Sequence, residues 1–178
     1  MRHALVLGGA RSGKTAFAEQ LALRSGSKPL YLATTEAMDG DIRARVESHR
    51  AARAGLFATH EAPLRLSHAI LEAGKDHDAI LVDCLTLWIT NLLMANEDVA
   101  TAVSELCATL MEFRSAKVIL VSQEVGLGIT PDNATSRTFR DLAGSAHQRL
   151  AEICDDVYFV AAGLSLTMKG EAPVARDA

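Results

Sequence analysis

Aromatic residues are scarce: they make up 4% of the 178 residues, with one tryptophan, two tyrosines and five phenylalanines. A core must therefore be assembled from Leu, Val, Ile and Ala. Cysteine is scarce too. Cys84, Cys107 and Cys154 are odd in number and widely spaced, with no C-x-x-C. That excludes a disulfide framework and a structural zinc site, and leaves the three expected as small buried apolar residues. Positive charge is in deficit, with 18 Lys and Arg against 22 Asp and Glu, for a net charge of −4. A nucleic-acid coat needs a basic surface, so no nucleic-acid partner is expected, although a local basic patch stays open. No apolar run approaches the ~18 residues of a membrane span, so no stable membrane insertion is expected. The apolar start, Met1 to Leu7, is too short for a signal peptide and runs straight into a glycine loop, which points to a cytoplasmic protein.

What is present is a globular composition, 49% hydrophobic and 22% charged, at the length of one domain. Short apolar runs at 3–7, 29–33, 79–82, 117–121 and 157–161 read as strands, with a weaker sixth at 164–168. The interior runs are nearly continuous in Val, Ile and Leu, as in strands covered on both faces. Helical periodicity fills the gaps at 14–25, 39–53, 64–73, 85–95, 99–114 and 134–154. This alternation predicts a single α/β domain, a mostly parallel sheet with helices on both faces. The expected boundaries are a nucleotide-binding catalytic domain at 1–170 and a C-terminal tail at 171–178.

The strongest local signal is Gly8-Gly9-Ala10-Arg11-Ser12-Gly13-Lys14-Thr15. It satisfies G-x-x-x-x-G-K-[ST] between a strand and a helix, which is the context a phosphate loop (P-loop) needs. Glycines let backbone N–H groups turn inward around phosphate oxygens, and the helix N-terminus adds its positive dipole. Lys14 is expected on the β- and γ-phosphates and Thr15 on Mg²⁺. A P-loop NTPase is therefore expected. The usual acidic companion is Asp83, ending Ile80-Leu81-Val82-Asp83, as a second Mg²⁺ ligand. Asp83 could instead merely cap the next helix.

Within the helical pattern 39–53, Arg45, His49 and Arg53 stand at i, i+4 and i+8 and share a face, flanked by Arg50. Arginine forks bind phosphate oxygens in pairs, and a histidine among them can donate, shuttle a proton or attack phosphorus. A solvated basic helix would read the same way. The long connection 122–133 carries Gly126, Gly128 and the candidate acid or base Glu124 at the sheet edge where α/β ligands bind. A plain loop with Asp132 or Asn133 capping the next helix is the alternative. Thr34, Thr35 and Glu36 end the second strand at that same edge, suited to a base, a ribose or ordinary turn chemistry.

Taken together, the motifs resemble those of the bifunctional adenosylcobinamide kinase/adenosylcobinamide-phosphate guanylyltransferases of cobalamin biosynthesis. The matching strings are G-G-A-R-S-G-K-T at 8–15, Y-L-A-T at 31–34 and R-V-x-x-H-R-x-x-R at 45–53. They continue with T-H-E-A-P at 59–63, L-V-D-C-L-T-L-W at 81–88, S-Q-E-V-G-L-G-I-T-P at 122–131, F-R-D-L-A-G at 139–144 and Q-R-L at 148–150. The resemblance implies a RecA-like sheet, a homotrimer, and GTP and ATP as nucleotide substrates used with Mg²⁺. It implies phosphorylation of adenosylcobinamide, then transfer of GMP from GTP to adenosylcobinamide phosphate through a guanylyl-histidine, giving adenosylcobinamide-GDP. The guanylylated residue falls on His49. Nucleotide contacts fall on Gly8 to Thr15, on Thr34, Thr35 and Glu36, on Arg50, Ala51, Ala52 and Arg53, and on Glu61 and Asp83. This chain departs from the family pattern at Ala54, Phe57, Gln123 and His147, where Pro, Trp, Asn and Asn are usual. Two other readings use the same residues: a P-loop kinase of a small alcohol with His49 only a phosphate contact, and a nucleotide-sensing module without turnover.

Overall fold

The apolar runs form strands of a single twisted sheet in the computed structural model, which describes residues 2–35 and 55–173. The strands are β1 (Ala4–Gly8), β2 (Pro29–Ala33), β3 (Ala58–Glu61), β4 (Ala79–Asp83), β5 (Lys117–Gln123), β6 (Asp156–Ala161) and β7 (Leu164–Lys169). Between them run α1 (Lys14–Ser25), α2 (Leu66–Ala73), α3 (Leu85–Met94), α4 (Val99–Glu112) and α5 (Ala134–Ile153). The spatial order is β3-β2-β4-β5-β1-β6-β7. All pairs are parallel except β6–β7, which is antiparallel. The expected α/β class with a mostly parallel sheet is therefore what the chain adopts.

Alternate residues of each central strand enter different cores, because side chains alternate across a pleated sheet. Leu5, Leu30, Leu32, Ile80, Val82, Val118 and Leu120 pack with α2 to α5. Ala4, Val6, Tyr31, Leu81, Ile119 and Val121 pack with Ala18 and Ala22 of α1. Helices thus cover both faces, and each fully buried Leu or Ile contributes about 1.5–3 kcal/mol. The single tryptophan, Trp88, is buried in the larger core, and its indole N–H donates to the Leu64 carbonyl at 2.8 Å. Cys107 and Cys154 are buried as expected, Cys84 only partly.

Two elements depart from the sequence pattern. β3 has no apolar run: its four residues are ATHE, three of them exposed. It exists because its backbone pairs with the edge of β2, and it brings Glu61 opposite Ala33. The β6–β7 connection is a two-residue turn, with Ala162 at φ 52° and Gly163 at φ 77°. Positive φ at both positions matches the right-handed twist of a hairpin. Tyr158 OH donates to the Glu171 carbonyl at 2.9 Å, and Glu171 N–H donates to Asp156 at 3.1 Å, so the chain stays tied down past β7. No described helix is long and apolar enough to cross a membrane.

Candidate active site

Gly8 ends β1, and helix α1 starts at Lys14, so residues 9–13 turn at the C-terminal edge of the sheet. The turn closes through Ser12 N–H to the Gly9 carbonyl at 3.3 Å. Gly13, at φ 94°, occupies the left-handed region that glycine enters without steric cost. Gly8 is required for another reason: a Cβ there would strike the Val160 carbonyl oxygen. The β6–β7 turn braces the loop from outside, with Gly163 N–H donating to the Ser12 carbonyl at 2.8 Å. Lys14 Nζ lies folded over the loop, 3.1 Å from the Gly9 carbonyl oxygen. Ser12 Oγ is buried without a hydrogen-bond partner, while Ala10 and Arg11 are exposed. The loop presents an open, cation-tipped nest at a helix N-terminus, a geometry suited to an anion.

Asp83 ends β4 and reaches this loop. Its Oδ2 accepts from Thr15 Oγ1 at 3.2 Å and from Tyr31 OH at 2.7 Å. The capping alternative is not what the chain does, since the residue at the N-cap of α3 is Cys84. Thr15 and Asp83 offer two hard oxygens side by side, the donor type Mg²⁺ takes. Among the described residues no group of three or more His, Cys, Asp or Glu gathers as a metal cage. A Mg²⁺ held here would complete its shell with phosphate and water oxygens, as Mg²⁺ usually does. From the sequence Tyr31 is only the first residue of the Y-L-A-T string, with no role of its own. It sits inside an apolar strand, and only its hydroxyl reveals its role. Its ring also meets Phe57 edge-on, with centroids 6.3 Å apart.

Thr34 is fully buried and clamps the neighbouring strand end. Its Oγ1 donates to the Cys84 carbonyl at 2.7 Å and accepts from Cys84 N–H at 2.9 Å. Asn91 Nδ2 then bonds the Thr34 carbonyl at 2.7 Å. Thr35 is half-buried and Glu61 exposed, both at the C-terminal edge of the sheet. Burial, and after it the charge of Asp83, push the Cys84 thiol up, so it stays protonated at neutral pH. Glu36, His49, Arg50, Ala51, Ala52 and Arg53, with the predicted helix 39–53, lie outside the described residues.

At the same edge, Glu124 N–H donates to the Gly8 carbonyl at 3.0 Å. The loop beyond it is exposed from Gly126 to Thr130, with Ile129 98% accessible and Leu127 80%. Asn133 caps α5 by accepting from Ser136 N–H at 2.7 Å, as the loop reading allowed. Behind the loop, buried Ser122 and His147 form a polar cluster with half-buried Thr86. His147 Nε2 is 2.7 Å from Ser122 Oγ, which is 3.2 Å from Thr86 Oγ1. Burial lowers the His147 pKa, and the carboxylate of Glu124 offsets this only in part.

Comparison with known proteins adds to this geometry. A family model described as cobinamide kinase / cobinamide phosphate guanyltransferase matches residues 4–168. The chain is 42% identical over 168 residues to the bifunctional adenosylcobalamin biosynthesis protein CobP of Pseudomonas aeruginosa, covering 94% of this chain and 97% of that one. It is 36% identical over 179 residues to the bifunctional adenosylcobalamin biosynthesis protein CobU of Salmonella typhimurium, covering 93% and 98%. Among solved structures, a prototypical ATPase from the type III secretion system of pathogenic bacteria superposes with a TM-score of 0.54 at 12% identity, over 93% of this chain and 56% of that one. At that identity the likeness speaks for the fold alone, which is that of RecA-like P-loop ATPases. With its phosphate loop, acidic partner and near full-length family match, the chain belongs to the cobinamide kinase / cobinamide phosphate guanyltransferase family and is a bifunctional enzyme with those two activities.

Proposed function

We propose that the loop from Gly8 to Thr15 holds the triphosphate for both reactions, with Lys14 on the β- and γ-phosphates and Thr15 and Asp83 holding Mg²⁺. The observation that carries this is the 3.2 Å contact between the Thr15 hydroxyl and the Asp83 carboxylate at the mouth of the loop. Mg²⁺ bound there supplies charge neutralisation along the phosphate chain. Thr35, Glu36, Arg50, Ala51, Ala52, Arg53 and Glu61 complete the nucleotide site. Thr34 supports it by holding the Cys84 peptide in place. ATP or GTP serves the kinase step and GTP the guanylyl transfer.

In the guanylyl transfer, a His49 ring nitrogen attacks the α-phosphorus of GTP. The bond to the bridging oxygen breaks and pyrophosphate leaves with the electron pair. A phosphate oxygen of adenosylcobinamide phosphate then attacks the same phosphorus, frees His49 and forms adenosylcobinamide-GDP. Covalent relay through a side chain divides one hard displacement into two easier ones. The connection 122–133 is the surface offered to the large cobinamide substrate, through its exposed residues 126–130 with Leu127 and Ile129 outward. Both curated relatives are named for adenosylcobalamin biosynthesis, and this enzyme takes its place in that pathway. Its catalytic domain is 1–170 with a tail at 171–178, acting in the cytoplasm as a homotrimer. These last three points are supported by the motif resemblance and composition.

Incubation with α-labelled GTP tests this reading. The wild-type protein is expected to carry an acid-labile covalent label, absent from His49→Ala, while His49→Ala still phosphorylates cobinamide. An active wild-type enzyme that never takes up label overturns the histidine relay.

A further inference from the structure

The polar cluster behind the glycine loop has a direction. Gln123 N–H donates to Thr86 Oγ1 at 2.7 Å. Thr86 Oγ1 is followed by Ser122 Oγ at 3.2 Å, and that oxygen by His147 Nε2 at 2.7 Å. The other ring nitrogen, Nδ1, is buried, has no hydrogen-bond partner, and faces Glu124 Oε2 at 3.5 Å. A lone pair on Nδ1 would oppose an ionised carboxylate, so the ring proton belongs on Nδ1. Ser122 then donates to Nε2 and Thr86 donates to Ser122, which satisfies each hydroxyl in turn.

Glu124 is placed by this arrangement. Strand β5 lies between β4 and β1, with Val121 opposite Asp83 and Gln123 opposite Gly8. Glu124 is therefore the first residue beyond the sheet edge, between the Asp83 carboxylate and the first glycine of the phosphate loop. One carboxylate oxygen accepts from Gly126 N–H, the other faces His147, and the side chain is 20% accessible at the mouth. The other acids at this edge are less suited to take a proton there. Asp83 is the carboxylate assigned to Mg²⁺ beside Thr15. Glu61 is on β3, four strands from β1, or about 19 Å at ~4.8 Å per strand.

We propose that Glu124 is the general base of the kinase reaction, and that His147 is a positioning residue that aims its carboxylate. The proposal rests on the phosphate-loop reading above. The acceptor hydroxyl oxygen attacks the γ-phosphorus, and its O–H bond breaks as the proton passes to Glu124. A new P–O bond forms, the bond from the γ-phosphorus to the β–γ bridging oxygen breaks, and its electron pair leaves with the nucleoside diphosphate. Glu124 then returns the proton to water. The guanylyl transfer needs no such base in its second step, since its acceptor is an already ionised phosphate oxygen.

Glu124→Gln tests the base. Positioned bases contribute about 10²–10⁴-fold. Kinase kcat is expected to fall by about that factor, with KM for cobinamide and affinity for a non-transferable triphosphate analogue unchanged, and with GTP labelling of the enzyme retained. Kinase turnover within about threefold of wild type overturns the proposal. So does parallel loss of analogue binding, labelling and phosphorylation, which marks a structural role. His147→Leu tests the positioning: kcat is expected to drop about tenfold with KM unmoved. His147→Asn keeps an amide donor near the place of Nδ1 and is expected to recover most of that loss. Equal loss in the Leu and Asn variants overturns the role of His147. Lys14→Ala reports separately on the phosphate loop. If that variant phosphorylates cobinamide normally, the loop reading fails whatever Glu124 does.

Discussion

Thr15 and Asp83, 68 residues apart in the chain, meet at 3.2 Å through hydroxyl and carboxylate. One lies in the first turn of α1, which follows β1, and the other ends β4, so the shared C-terminal edge of the sheet brings them together. Thr15→Val keeps the branched shape and removes the hydroxyl. Phosphoryl transfer should fall about 10²-fold with the fold intact, read as turnover at saturating Mg²⁺ beside a thermal melt. Near wild-type turnover would mean that the metal is held elsewhere.

Tyr31 donates to the same carboxylate oxygen at 2.7 Å from a buried ring. Tyr31→Phe leaves the packing and removes that donor. A hydrogen bond to a charged group is worth about 1.5–3 kcal/mol, so denaturant titration should show a loss of that order. Weaker Mg²⁺-dependent activity should accompany it, because the Asp83 carboxylate loses its tether. An unchanged unfolding midpoint would argue that the hydroxyl bonds water instead.

Gly163 links the β6–β7 turn to the phosphate loop through its N–H to the Ser12 carbonyl, at φ 77°. Gly163→Val forces a β-branched residue into the left-handed region, at a cost of about 1–2 kcal/mol. Nucleotide affinity should drop with stability, although no atom of Gly163 is assigned to nucleotide. Isothermal titration with a triphosphate analogue measures it, and full affinity in a destabilised variant would show that the brace does not shape the loop.

Acid should destabilise the protein through buried histidines. His3 Nδ1 accepts from Val118 N–H, and its Nε2 stands 3.1 Å from the Phe113 carbonyl it donates to, so the ring is neutral. Burial lowers its pKa, the Phe113 bond opposing, and burial lowers that of His147 against Glu124. Above the ordinary value near 6.5 the folded and unfolded chains are both neutral here, and pH has no effect. Below it the unfolded chain takes up protons that the folded chain refuses, so stability falls from about pH 6.5 downward. Asp156 acts lower: burial raises its pKa, Arg2 and the Glu171 N–H outweigh this, and its contribution is lost only below about pH 4. Urea midpoints should drop between about pH 7.5 and about pH 5.5, and equal midpoints would refute the neutral-ring assignment.

How much was legible depended on how local each feature is. The phosphate loop is eight contiguous residues between a strand and a helix, and its geometry follows from glycine conformations and a helix N-terminus. The central strands were legible because burial on both faces leaves a plain apolar run. β3 was not, because its ATHE sequence carries no burial signal and its pairing with β2 is what makes it a strand. Tyr31 and Thr34 lie in or next to an apolar strand, and only their distant partners show what their hydroxyls do. His147 looked like a departure from the family pattern, yet its ring joins β5, α3 and the glycine loop.

The amino-acid sequence by itself determined the α/β class and the phosphate loop, since each depends on residues a few positions apart, and it left Asp83 open between a metal ligand and a helix cap. The tertiary structure decided which strand ends are neighbours. That placed Tyr31 against Asp83, the hairpin glycine against Ser12, and Glu124 between the loop and His147. The physical reason is that hydrogen bonds and charges act over a few ångströms of space, whereas their partners here are separated by 23 to more than 150 positions along the chain.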